Sequence, residues 1–153
     1  MKKQLLLFAF SALALTSCKD DNLEAYDLEM MSGDWKVSKR ETISGKDNKT
    51  VISTEIPSDC DAKNILHFRS DYYTSYTYYT GTGLDCQVSG KNEGKFTYNE
   101  ESKLLSIKNT NDSEKLYRIE ILTSQDLKVA QLFGAYDANS DGTDDLIYIT
   151  YKR

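Results

Sequence analysis

The sequence has little of the chemistry on which most enzymes and metalloproteins depend. Its 153 residues include one His, one Trp, one Pro and three Cys. It has no Gly-x-Ser-x-Gly motif, no Cys/His pair and no His cluster, so nucleophilic, zinc and haem chemistry lack their usual side chains. We therefore predict that the protein is not an enzyme. Basic residues are not clustered and the net charge is −5, which argues against a nucleic-acid partner.

The longest apolar run is too short to cross a membrane. Two lysines precede an apolar run over residues 5–15, whereas a transmembrane helix needs about 20 apolar residues. This pattern is typical of a secretory signal peptide. The run leads into Leu15-Thr16-Ser17-Cys18, which resembles the lipobox of bacterial lipoprotein precursors. The resemblance implies that residues 1–17 are removed and that Cys18 carries acyl chains such as palmitate. The alternative is an ordinary secretory signal with a chance Cys.

The residues after Cys18 are polar and acidic. Lys19-Asp20-Asp21 resembles the export tag of surface lipoproteins in some Gram-negative groups. This implies an outer-membrane lipoprotein displayed on the cell surface, with display towards the periplasm as the alternative. Residues 18–30 are predicted to form a lipidated tether, with one helical turn at its end. Residues 31–153 are then one folded domain, long enough to bury a single core.

The rest of the chain has the pattern of many short strands. β-Branched and aromatic residues recur in short runs, separated by turns rich in Gly, Asn and Asp, and no long segment has a helical apolar period. Eight or nine such strands predict an all-β sandwich or barrel, and the length fits a small antiparallel up-and-down β-barrel of about eight strands. The predicted strands cover residues 35–43, 49–55, 64–70, 72–80, 94–99, 103–109, 115–123, 127–136 and 145–152.

Alternation within the strands predicts which side chains face the core. On the first strand, Trp35 and Val37 share the inner face, and Lys36, Ser38 and Arg40 share the outer face. The predicted inner set continues with Leu66, Phe68, Phe96, Tyr98, Leu105, Ile107, Tyr117, Ile119, Ile121, Ile147, Ile149, Tyr151 and Arg153.

Gly33-Asp34-Trp35, at the start of the first predicted strand, resembles the Gly-x-Trp signature of lipocalins. The similarity continues with Cys60 before one predicted strand and Cys86 after the next. It also includes Gly94–Tyr98, which opens a further predicted strand. Residues 31–153 thus resemble the lipocalin-like domains of secreted bacterial lipoproteins. The resemblance implies a barrel whose cup binds a small apolar ligand. It also implies that Trp35 closes the base beneath a basic residue, Arg153 or Lys152.

With Cys18 assigned to lipid, two cysteines remain. In an oxidising compartment Cys60 and Cys86 are interpreted as one disulfide. A disulfide that closes a loop of this length is worth roughly 3 kcal/mol in the loop-entropy model. The alternative is a metal-binding or catalytic thiol pair, which the lone His disfavours.

Residues 137–145 follow the opening of the EF-hand calcium loop, D-x-[DN]-x-[DN]-G. The candidate ligands are the side chains of Asp137, Asn139, Asp141 and Asp145 and the carbonyl of Thr143. Position 12 is Tyr148 instead of the usual bidentate Glu, and strands are predicted on both sides. Calcium is thus one interpretation and an acidic hairpin with an Asp-Gly turn is the other; no cofactor is otherwise required.

Five tyrosines lie between residues 72 and 79. They could form an exposed binding ladder, but strand propensity and cross-strand pairing explain them as well. The lone His67 alternates with Leu66 and Phe68, which predicts a surface His. Two functions remain open: a membrane-anchored lipocalin-like lipoprotein that binds a small apolar ligand, and a structural or interaction module of the cell envelope with a filled barrel.

Overall fold

The computed structural model describes residues 21–83, 85–134 and 136–153. The predicted signal peptide and the lipidation residue Cys18 lie outside these residues. The described residues form one helix, one short 3-10 turn and nine strands. In order they are α1 Asp21–Met31, β1 Gly33–Ile43, β2 Val51–Glu55, a 3-10 turn Asp61–Lys63, β3 Ile65–Phe68, β4 Tyr73–Thr80, β5 Gln87–Asn99, β6 Leu104–Asn109, β7 Lys115–Leu122, β8 Asp126–Gln131 and β9 Leu146–Lys152.

The strands form one antiparallel meander that closes on itself. Each strand from β3 to β9 pairs with the next, and β9 pairs with β1 along most of its length. The other edge of β1 pairs with β3 at its start and with β2 at its end. β2 and β3 are therefore two pieces of one interrupted strand. The prediction of a small up-and-down barrel of eight strands is confirmed.

Most strands lie close to their predicted positions, but β5 is much longer than expected. It begins at Gln87, seven residues before the predicted start. Its first half is polar and exposed, so it shows no alternation of apolar and polar residues. This half is a strand because its backbone pairs with β4, with Tyr79 opposite Val88 and Thr77 opposite Lys91.

A β-bulge in β1 overturns the predicted outward direction of Arg40. The register against β9 shifts between Val37 and Lys39, and beyond the shift Arg40 lies opposite Ile149. Ile149 is buried in the core. Directly opposite residues point to the same side of an antiparallel pair, and an extra residue exchanges the two faces of a strand. Arg40 therefore faces the barrel interior.

A second bulge corrects the prediction for Ile121. The register of β7 against β8 shifts between Ile119 and Ile121, so Leu122 takes the inner face opposite Leu127. Ile119 is buried, whereas Ile121 is 46% exposed. The other predicted apolar core positions are buried or packed against the core cluster.

The end of the predicted tether packs against the barrel. Leu28 and Met31 on α1 belong to the buried core, and the Tyr98 hydroxyl donates a hydrogen bond to Asp27 at 2.7 Å. Leu28 and Met31 can both face the barrel because residues three apart lie on one face of a helix. The described residues contain no helix that is both long and apolar enough to cross a membrane.

Candidate functional site

The barrel is filled at one end and open at the other. At the filled end, large side chains exclude solvent almost completely; they are Met31, Trp35, Phe68, Phe96, Leu105 and Leu127. Above them lies a cavity of about 10 Å³. At the open end a cup of about 350 Å³ is lined by Val37, Arg40, Leu66, Thr74, Ser75, Tyr76, Tyr78, Ile107, Asn109, Lys115, Tyr117, Gln131, Phe133, Ile149 and Tyr151.

The cup has a positive lining. Arg40 and Lys115 line it, and none of the described lining residues is Asp or Glu. Lys115 is held by Asp112 at 2.5 Å. Arg40 reaches Glu55 only at 3.4 Å, and both side chains are largely exposed. Such a long, exposed pair contributes little free energy, so the Arg40 charge remains largely unneutralised by the protein.

Tyrosine rings supply much of the remaining cup surface. Burial raises the pKa of the Tyr117 phenol to about 12, and the nearby positive charge of Arg40 opposes this shift. Burial also raises the pKa of Tyr76 and Tyr151, again with Arg40 acting in the opposite direction. All three phenols are therefore protonated at neutral pH and can donate hydrogen bonds.

A cleft in the barrel wall lies between β2 and β3, where the strand that they form together is interrupted. Its volume is about 350 Å³, and it shares Val37, Arg40 and Tyr76 with the cup. Its outer wall is the segment between β2 and β3, which carries Pro57 and Cys60. The disulfide between Cys60 and Cys86 is present, with 5.4 Å between the two Cα atoms. The disulfide thus ties this segment to the chain just before β5.

The base of the barrel is closed by Trp35 on β1 and by Arg153, which follows β9. The Trp35 indole N–H donates to the Met31 carbonyl at 2.7 Å. The Arg153 guanidinium lies 4.4 Å from the centre of the Trp35 ring and donates to the Met30 and Ser32 carbonyls. Gly33 has a φ of 118°, which a residue with a side chain rarely adopts. The structure thus places Arg153, one of the two predicted basic residues, over Trp35.

Comparison with models of protein families finds a match over most of this chain. The model of the lipocalin-like domain matches residues 31–129, which include Gly33, Trp35 and the disulfide. The chain belongs to the lipocalin-like domain family. No curated protein matches it.

Solved structures of two odorant-binding proteins are among those similar to this lipocalin-like chain, at low identity. One is the odorant-binding protein OBP1, at 7% identity and a TM-score of 0.40, with 82% of this chain and 72% of that chain covered. The other is a deswapped triple mutant of bovine odorant-binding protein, at 9% identity and a TM-score of 0.40, with 81% and 74% covered.

In the lipocalin-like domain, the acidic loop before β9 does not gather its carboxylates around one point. Among the described residues, no group of three or more His, Cys, Asp or Glu side chains is placed to hold a metal ion. Asp145 is buried, and its two oxygens accept the backbone N–H groups of Gly45 and Ala138. It therefore joins this loop to the turn after β1.

The remaining predicted ligands are engaged within the loop. Asp137 accepts the N–H groups of Asp141 and Gly142, Asn139 accepts that of Asp141, and Asp141 accepts that of Thr143. These bonds describe a turn that its own side chains stabilise. A carboxylate oxygen that accepts a backbone N–H can still ligate a cation, so the calcium site and the alternative of an acidic turn both stay predictions.

The tyrosine side chains of β4 lie on both faces of the barrel wall. Tyr76 and Tyr78 line the cup, with ring centres 4.7 Å apart. Tyr73 lies outside and donates to Glu93 at 2.5 Å. His67 also lies outside, with its Nδ1 atom 2.6 Å from Oδ1 of Asp34. It does not line the cup.

Sequence reasoning missed Arg40 and Lys115 as site residues. Arg40 was assigned to the outer face because strict alternation from Trp35 places it there. No signal in the sequence marks the bulge that reverses it. Lys115 occupies the first position of a predicted strand, and simple alternation with Tyr117 and Ile119 could have placed it on the inner face.

Proposed function

We propose that this protein is a membrane-anchored lipocalin-like lipoprotein that binds a small apolar ligand in the open end of its barrel. The observation that carries the proposal is the cup of about 350 Å³ above a filled base. Binding pockets for small molecules usually have volumes of about 300–1,000 Å³. Eight-stranded barrels are wide enough to hold one such ligand.

A titration with N-phenyl-1-naphthylamine, a neutral apolar dye that fluoresces when it leaves water, tests the cup. Wild-type protein is expected to bind it saturably at one site. Val37 lines the cup, so Val37→Trp fills part of it and is expected to weaken binding at least tenfold. The control is Val88→Trp, because Val88 is 59% exposed on β5 and does not line the cup. Equal affinity in the two variants would contradict binding in the cup.

The proposed anchor is an acyl-modified Cys18 on the outer membrane, with the folded domain at the cell surface. Its support is the sequence Leu15–Cys18 after an apolar run, and the start of α1 only three residues beyond Cys18. Cys18→Ser is expected to abolish acylation. In cell fractionation, the variant should leave the membrane fraction, while Cys60→Ser should remain there. Protease added to intact cells distinguishes surface display from display towards the periplasm.

A second candidate is an interaction module of the cell envelope. It is favoured by exposed apolar side chains outside the cup lining, namely Val88, Leu132 and Tyr136. These side chains could bind a protein partner. The absence of saturable dye binding would favour this function. That the protein is not an enzyme remains a prediction in either case.

A further inference from the structure

The position of Arg40 gives the cup a chemical preference. The bulge between Val37 and Lys39 turns Arg40 inward, opposite the buried Ile149. Its charge acts on the phenols of Tyr76, Tyr117 and Tyr151, which also line the cup. A guanidinium that faces the inside of a cavity without a lining carboxylate lies close to any ligand that enters.

The protein itself supplies little to neutralise this charge. Glu55 is the carboxylate within ion-pair distance of Arg40 among the described residues, and it lies 3.4 Å away. Charge-assisted N–H···O bonds are usually 2.7–2.9 Å long. Glu55 also lines the side cleft and not the cup. The five N–H donors of Arg40 therefore exceed what this one long contact can use.

We propose that the ligand of the cup is an amphiphile with a single oxyanion head group, and that Arg40 binds this head group. The inference rests on the proposed function, because it names the ligand class of the same cup. The apolar body of the ligand would lie against Leu66, Ile107 and Ile149, and the protonated phenol of Tyr117 would donate a second hydrogen bond to the oxyanion. Lys115 contributes less, because Asp112 already holds it.

The test uses two dyes that differ by one group. 8-Anilinonaphthalene-1-sulfonate has the ring system of N-phenyl-1-naphthylamine with an added sulfonate. Wild-type protein is expected to bind the sulfonate more tightly than the neutral dye. Arg40→Gln is expected to weaken binding of the sulfonate at least tenfold, since it removes a charge-assisted bond. The same variant should change the affinity for the neutral dye less than threefold.

The matched control is Lys36→Gln, which removes the same charge from the same strand. Lys36 is exposed, between the inward-facing Trp35 and Val37. The Lys36→Gln variant should bind both dyes with affinities within twofold of the wild-type values. Such a result excludes an effect of net charge alone. Decanoate should displace the neutral dye from wild-type protein more effectively than 1-decanol does, and Arg40→Gln should remove this difference.

Different results would overturn the oxyanion inference and the proposed binding function of the cup. If both dyes bind and Arg40→Gln weakens both equally or neither, the oxyanion inference is overturned and the cup remains a binding site. If neither dye binds wild-type protein saturably, the proposed function is overturned, and the oxyanion inference with it. Circular dichroism of Arg40→Gln matching that of wild type excludes unfolding as the cause of a loss.

Discussion

Replacing Trp35 by Ala is expected to lower the free energy of unfolding by about 3–5 kcal/mol, the usual range for a large aromatic residue removed from a core. Trp35 is fully buried, and its indole N–H bonds to the Met31 carbonyl. The substitution opens a cavity between α1 and the barrel and leaves Arg153 without the ring that it covers. Urea unfolding followed by circular dichroism measures the change.

Two further variants separate burial from the contacts of the ring. Trp35→Phe keeps an aromatic ring but removes the N–H donor, so its cost should fall between those of wild type and Trp35→Ala. Tyr26→Ala removes an aromatic side chain that is 58% exposed on α1, and should stay within about 0.5 kcal/mol of wild type. A Trp35→Ala protein as stable as Tyr26→Ala would contradict the assignment of Trp35 as the closure of the base.

Removing the disulfide is expected to lower the free energy of unfolding by about 3 kcal/mol. The double variant Cys60→Ala/Cys86→Ala frees a loop of about 25 residues in the unfolded chain and leaves its folded contacts nearly intact. Because the bridge holds the wall of the side cleft, the segment that carries Pro57 should also become accessible to protease. Urea unfolding and limited proteolysis under native conditions measure the two effects.

Reduction of the wild-type protein provides the control for this variant. Dithiothreitol should shift the wild-type urea midpoint towards that of the double variant and should leave the double variant unchanged. The dye affinity of the cup should change little, since neither Cys lines it. A wild-type midpoint that does not respond to complete reduction would show that the bridge adds no stability.

The local features of the barrel were predictable because strands and turns depend on neighbouring residues. Residues 73–80 and 146–152 alternate or cluster β-branched and aromatic side chains, and both segments are strands. In contrast, residues 87–93 have no apolar pattern and form a strand because β4 pairs with them. Leu28 was placed in a tether because its sequence neighbours are polar, yet it packs against the barrel.

The sequence by itself determined the all-β class, the antiparallel meander and the pair of cysteines that form the bridge, because these features follow from short-range alternation, turn residues and residue type. The aromatic residue at the base was indicated by the resemblance of Gly33-Asp34-Trp35 to the lipocalin signature. Only the tertiary structure decided where Arg40 points, that Asp145 joins two loops, and that one end of the barrel is open. A bulge arises from the register between β1 and β9, whose residues are more than a hundred positions apart in the chain. No local pattern records that pairing, and the chemistry of the cup depends on it.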